Sequence, residues 1–228
     1  MDLKKEAAKA AFKLIRNNST VGLGDGTAVR FLADYIAEET KKGLTLLLYT
    51  SSYTTLKFLQ ERGIHAEEFP DTGLLDQYFD GCDQIDGQLN AFKSGAGIHT
   101  TEKLLASTAK EFYILADESK FTDRLENTFP LVLEILPPAA TIVRKKLESL
   151  YQDISITLRM EGGTGRPVAT RYGNHLLDCR FPALPELFSL NAQCKMITGV
   201  VETSLFYGLV TGAFIASDRG VRQLAKKQ

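Results

Sequence analysis

Cysteine is scarce in this 228-residue chain: Cys82, Cys179 and Cys194, with no C-x-x-C pair. An odd, unpatterned set argues against a secreted disulfide framework. Histidine is as sparse, and His65, His99 and His175 fall at no ligand spacing, so no zinc site is expected. An excess of one charge is also missing. Lys+Arg number 27 and Asp+Glu 28, a net charge of -1, which argues against a general nucleic-acid binder but leaves room for a small basic pocket. Long apolar runs are absent as well. The most apolar stretch, Ile197 to Ser217, is interrupted by Glu202 and several glycines, which a membrane span tolerates poorly. The N-terminal MDLKKEAAKAAFKLI lacks the apolar region of a signal peptide. These absences point to a cytoplasmic protein with neither membrane nor nucleic acid as partner. There is no internal repeat and no low-complexity tract.

Hydrophobic residues at 44% and charged residues at 24% are ordinary globular values, and this length buries a sizeable core. Periodicity predicts helices over 3–17, 28–41, 52–62 and 102–110, and strands over 20–23, 44–49, 74–79 and 112–117. The apolar run 44–49 suits a parallel strand buried on both faces. Strands alternating with helices imply an α/β fold with a mainly parallel sheet, whose ligands collect beyond the carboxyl ends of the strands. The pattern changes near Pro130. Strands are predicted over 132–136, 154–159 and 175–178, with helices over 140–151 and 185–190. This is read as an inserted smaller α+β domain at 127–199. The main domain then comprises 1–126 and 200–228, with return strands at 199–206 and 214–217.

Chemistry-bearing residues gather after the strands. Gly22-Leu23-Gly24-Asp25-Gly26-Thr27 lies between a strand and a helix, where glycines and a helix N-terminus favour an anion. It is neither G-x-G-x-x-G nor a Walker motif, and a plain tight turn is an equal reading. Thr50-Ser51-Ser52-Tyr53-Thr54-Thr55 offers hydroxyls for phosphate or sugar oxygens, or for capping a helix. The richest segment holds Asp80, Asp83, Lys93, Ser94-Gly95-Ala96-Gly97 and Glu102. A desolvated carboxylate near a lysine is a usable general base. The D-x-x-D-x-x-D spacing of Asp80, Asp83 and Asp86 does not fit an EF-hand. Lys120, just past a strand, supplies a point charge for a phosphate or stays solvated. His99 reads as an exposed polar loop residue, and Cys82 as small-residue filler.

These segments, with VGLGDGT (21–27), YTSSYTT (49–55), FDGCDQIDGQLNAFKSGAGIHTTEK (79–103), ADESK (116–120), FPLVLEILPPA (129–139), YGNHLLD (172–178) and ITGVVETSLF (197–206), resemble the type A ribose-5-phosphate isomerases almost end to end. The resemblance implies a Rossmann-like sheet with helices on both faces and an inserted α+β domain. It implies an aldose–ketose isomerase of the non-oxidative pentose phosphate pathway that uses no metal or organic cofactor and passes through an ene-diol(ate). By position Glu102 is the family's general base, Asp80 and Asp83 handle hydroxyl protons and ring opening, and Lys93 stabilises the oxyanion. Substrate binding falls to Gly24, Gly26, Thr27, Ser51, Ser52, Gly95, Gly97 and Lys120, with Lys4 also reaching the pocket. A homodimer or homotetramer is implied.

The sequence departs from the family at several points. G-T-G-S-T-A becomes Gly24-Asp25-Gly26-Thr27-Ala28, poorer in hydroxyls and gaining a carboxylate. D-G-A-D-E becomes Asp80-Gly81-Cys82-Asp83-Gln84. The glycine loop carries Ser94 and Ala96, and the return strand has Ser204 for a glycine. The proton-transfer set is intact, so the departures bear on the substrate. The alternatives are an isomerase of another phosphosugar, or a sugar-phosphate-binding paralogue without turnover.

Overall fold

A computed structural model describes residues 2–68 and 73–226. Helix α1 (Leu3–Phe12) starts at Asp2, whose carboxylate accepts from the Lys4 and Lys5 N–H groups. It buries Ala7, Ala8 and Ala11, small residues that let it pack closely. It ends five residues earlier than its periodicity predicts. Leu14 and Ile15 close tighter turns onto Ala11 and Phe12, and Asn18 adopts φ 61°. Then come β1 (Ser19–Leu23), α2 (Thr27–Thr40), β2 (Leu46–Thr50), α3 (Tyr53–Gln60) and β3 (Leu75–Asp80). Two short strands, β4 (Gln84–Asp86) and β5 (Ala91–Phe92), precede α4 (His99–Thr108) and β6 (Ala109–Asp117).

The chain continues through β7 (Phe121–Thr122), β8 (Leu131–Ile135), α5 (Ala140–Leu150), β9 (Ser155–Leu158), β10 (His175–Arg180) and α6 (Leu187–Lys195). It closes with β11 (Val200–Thr203), β12 (Leu205–Phe206), β13 (Gly212–Ser217) and β14 (Gly220–Ala225). The main sheet runs β14-β13-β6-β3-β1-β2, parallel throughout except the β13–β14 hairpin. The mixed, mostly parallel sheet with flanking helices is the α/β architecture expected. One expectation fails: β2 is not buried on both faces, since Leu47 is 63% exposed. It stands last in the sheet, paired along its length with β1 and, among the described residues, bridged on its other edge to Glu67 alone.

A second sheet, β11-β8-β10-β9, is fully antiparallel and shares an apolar core with α5 and α6 through Leu133, Val143, Leu147, Leu177 and Leu190. The strand expected over 199–206 is two strands. Val200–Thr203 pairs with β8 in this sheet rather than with the parallel one, and Leu205–Phe206 joins the small sheet β12-β5-β4-β7. Ser204 makes the break: its hydroxyl accepts from Val132 N–H, and its carbonyl accepts from Lys93 N–H at 3.0 Å. The chain therefore crosses between sheets at the back of the loop that follows Lys93.

Candidate active site

The carboxyl ends of β1, β3 and β6 open onto a cavity of about 250 Å³, lined by Lys4, Asp25–Ala28, Gly81–Asp83, Lys93, Gly95, Glu102 and Lys120 among others. That is smaller than the roughly 300–1,000 Å³ of a drug-sized site and suits a small polar metabolite. Its position beyond the strand ends is the one that parallel-sheet topology favours.

Asp80 ends β3 and is fully buried. Its carboxylate accepts from Asp25 N–H (3.1 Å), Gly81 N–H (2.7 Å) and the Tyr78 hydroxyl (2.7 Å), and lies 3.0 Å from Lys93 Nζ. The Tyr78 hydroxyl also meets the Ser51 hydroxyl at 3.0 Å. Lys93 donates to the Gly81 carbonyl at 2.7 Å and pairs with Glu102 Oε1 at 3.2 Å. Two carboxylates thus share one buried ammonium. Burial works against the charge on Lys93, but Asp80 and Glu102 outweigh it and hold the ammonium above its usual range. Glu102 is 3% exposed. Burial, and then the negative charge of Asp80, push its carboxyl up to about 8, against the pull of Lys93.

Helix α4 presents Glu102 from its first turn and is pinned at two neighbouring positions. Thr100 donates to Glu134 of β8 at 2.5 Å. Lys103 donates to the carbonyls of Thr203 and Leu205 and pairs with Glu202. Burial lowers Lys103 to about 8. His99, expected on an exposed loop, is fully buried as the first residue of α4. Burial, and then the charge of Lys103, push its imidazole down to about 3 and keep it neutral.

Asp83 reaches the cavity with one oxygen tied. Oδ2 accepts from Ser94 N–H (2.6 Å) and Gly95 N–H (2.9 Å), and among the described residues no hydrogen bond occupies Oδ1. Across the cavity, α2 begins at Gly26, whose φ of 106° suits glycine and which gives the helix no side-chain cap. The first N–H groups of a 14-residue helix, with Lys4 and Lys120 beside them, make an anion seat. Asp25, the gained carboxylate, is tied to α3 by the Thr54 hydroxyl at 2.8 Å and the Thr55 hydroxyl at 3.4 Å.

The structure therefore brings Lys4, Gly26, Thr27, Asp83, Lys93, Gly95, Glu102 and Lys120 to one cavity. Five expected site residues lie elsewhere. Asp80 stands one layer behind the cavity, beneath Lys93. Gly24 is the close approach that Asp80 requires, since a Cβ there would sit 2.0 Å from the Asp80 carboxyl carbon. Ser51 faces Tyr78, and Ser52 caps α3 by accepting from Thr55 N–H. Gly97 lies against Leu176 and Arg159. Gln84 does not line the cavity either; its amide oxygen accepts from Glu126 N–H at 2.8 Å. Tyr78 and Arg159 were not foreseen. Tyr78 had a signal, because residues two apart on a strand share a face and Asp80 follows it by two. Arg159 is 66 residues from Lys93 and had none.

The family model for ribose 5-phosphate isomerase A (phosphoriboisomerase A) matches residues 47–220. A ribose-5-phosphate isomerase A of Methanothermobacter thermautotrophicus is 32% identical over 225 residues, covering 98% of both chains. One of Bacillus mycoides is 33% identical over 224 residues, covering 98% of this chain and 99% of the relative. Among solved structures, the ribose 5-phosphate isomerase A of Methanocaldococcus jannaschii superposes with a TM-score of 0.90 at 29% identity, covering 99% of each chain. A D-ribose-5-phosphate isomerase in complex with phospho-erythronic acid gives 0.91 at 27% identity over 98% of each.

Proposed function

This chain belongs to the ribose 5-phosphate isomerase A family, and on that footing we propose how its own residues interconvert ribose 5-phosphate and ribulose 5-phosphate. The observation that carries the reading is Glu102, a buried carboxylate 3.2 Å from Lys93, facing the same cavity as the α2 N-terminus. The phosphate sits on the N–H groups of Gly26–Ala28 with Lys4 and Lys120 neutralising its charge. Asp83 Oδ1 takes a sugar hydroxyl and handles its proton as the ring opens.

Glu102, ionised, removes the proton from C2 of the open aldose. The C–H electrons form the C1–C2 double bond, and the C1 carbonyl oxygen becomes an oxyanion beside Lys93. Glu102 returns its proton to C1 while the O2 proton leaves and O1 gains one. The net change is one hydrogen from C2 to C1 and one from O2 to O1, with no electrons gained or lost. Asp80 does not touch substrate in this scheme. It anchors Lys93 and raises Glu102, which makes the base stronger once it is ionised.

Asp25, Gln84 and the altered glycine loop motivate the reading of another phosphosugar. Asp25 Oδ1 is held by Thr54 of α3 and the Gln84 amide oxygen by Glu126 N–H away from the cavity, which supports ribose 5-phosphate as the preferred substrate. The test is steady-state turnover of chelator-treated protein on several aldose phosphates. Ribose 5-phosphate should give the highest kcat/KM, and Glu102→Gln should lose about 10²–10⁴-fold of it. A higher value on another aldose phosphate refutes the substrate, and near-normal turnover in Glu102→Gln refutes the base. The proposal extends to a cytoplasmic homodimer or homotetramer, checked by cell fractionation and by light scattering of the purified protein.

A further inference from the structure

The loop that follows Lys93 is held from behind by the antiparallel sheet. Arg159, one residue past β9, sends one edge of its guanidinium to Asp178 of β10, with Nη2 at 2.6 Å and Nε at 3.1 Å from Oδ1. The rest of the fork reaches the loop: Nη2 donates to the Ser94 carbonyl at 2.8 Å and Nη1 to the Gly95 carbonyl at 3.0 Å. The N–H groups of the same two residues point the other way, onto Asp83 Oδ2. The Ser94–Gly95 backbone is thus clamped between a guanidinium and a carboxylate. Charge alternates along the line Asp178, Arg159, the two peptides, Asp83.

The backbone of Arg159 is fixed too, its N–H on the Leu176 carbonyl and its own carbonyl accepting from Val168 N–H. A second tie comes from the two serines noted above. The Ser94 hydroxyl donates to the Pro130 carbonyl at 2.6 Å and lies 3.4 Å from the Ser204 hydroxyl.

We infer that Arg159 is a positioning residue for catalysis: through the Ser94 and Gly95 peptides it fixes Asp83 so that Oδ1 faces the sugar. The inference rests on the function proposed above. Only a planar fork reaches Asp178 and both carbonyls at once; a lysine ammonium is a single point charge. Displacement of a reacting group by about 1 Å costs on the order of 10²-fold in rate.

The test is a double-mutant cycle with Arg159→Lys, Asp83→Asn and the pair, read as kcat and KM for ribose 5-phosphate, together with amide hydrogen exchange at Ser94 and Gly95. Arg159→Ala is the harsher companion, and Arg159→Lys keeps the charge and guards against a fold that fails. The expected result is a fall in kcat of about 10–100-fold in Arg159→Lys. Apparent affinity for inorganic phosphate should be unchanged. In the Asp83→Asn background the same change should add less than about threefold, because the two act as a unit. A purely structural role would instead lower activity equally in both backgrounds, and that result overturns the inference. Exchange at Ser94 and Gly95 should quicken at least about tenfold in Arg159→Lys, and unchanged exchange overturns the inference whatever the activities are. Quickened exchange in a chain whose wild type leaves ribose 5-phosphate untouched supports the clamp and refutes the function.

Discussion

Replacing Glu102 by glutamine should make the protein slower and, at high pH, more stable. The carboxyl is raised from 4.5 to about 8, first by burial and then by the charge of Asp80. Each tenfold change in proton affinity corresponds to about 1.4 kcal/mol. Ionising Glu102 therefore costs the folded state up to about 5 kcal/mol relative to the unfolded chain. The sign follows from proton counting. Between pH 4.5 and about 8 the folded state holds a proton that the unfolded state has released, so stability falls as pH rises through that window. Below it both states are protonated and the cost is absent; above it the cost is complete. Glutamine fills the same space and never ionises. Urea midpoints of wild type and Glu102→Gln should lie close together at pH 5 and diverge by pH 9, with the variant the more stable. Titrations of groups that Glu102 does not touch occur in both proteins and cancel in the difference. In the same window wild-type kcat/KM should rise along a limb centred near 8, belonging to the Asp80–Lys93–Glu102 cluster as a whole. Parallel pH dependences of the two urea midpoints would refute the assignment of a strained, buried carboxylate.

Other perturbations have definite outcomes. Lys120→Ala should raise KM about tenfold with little change in kcat, seen in steady-state kinetics, because it removes one charge from the anion seat. Gly24→Ala should abolish turnover and lower the melting temperature, since its methyl would lie 2.0 Å from the Asp80 carboxyl carbon. Burial pushes the Cys82 thiol up to about 12, so iodoacetamide at pH 7.5 should leave most activity intact after an hour although Cys82 lines the cavity.

Five strands of the main sheet were legible because they are short runs ending in glycine or polar residues; β14 was not, since its GVRQLA is polar and largely exposed. β3 and β6 each deliver an aspartate at their carboxyl end. Lys93, Asp83 and Glu102 were legible for a related reason: they lie within twenty residues, on the loop and helix that follow β3. The edge position of β2 was hidden, since Leu46-Leu47-Leu48 reads the same whether a strand has one neighbour or two. The roles of Ser51 and Ser52 were hidden too. A hydroxyl that caps a helix and one that binds phosphate occupy the same place in the chain, and only geometry shows that both are already engaged. The enclosure of Asp80 by its neighbours was hidden for the same reason, because its four partners come from four separate positions in the chain. Arg159 acts across 65 residues through backbone carbonyls, which carry no side-chain pattern at all.

The central claim is that Glu102 carries the proton between C2 and C1. Turnover of ribose 5-phosphate in D₂O, followed by proton NMR of the product, tests it most directly. Wild-type protein should place solvent deuterium on C1 of ribulose 5-phosphate, and Glu102→Gln should lose incorporation and turnover together. Incorporation at the wild-type rate in Glu102→Gln would contradict the account.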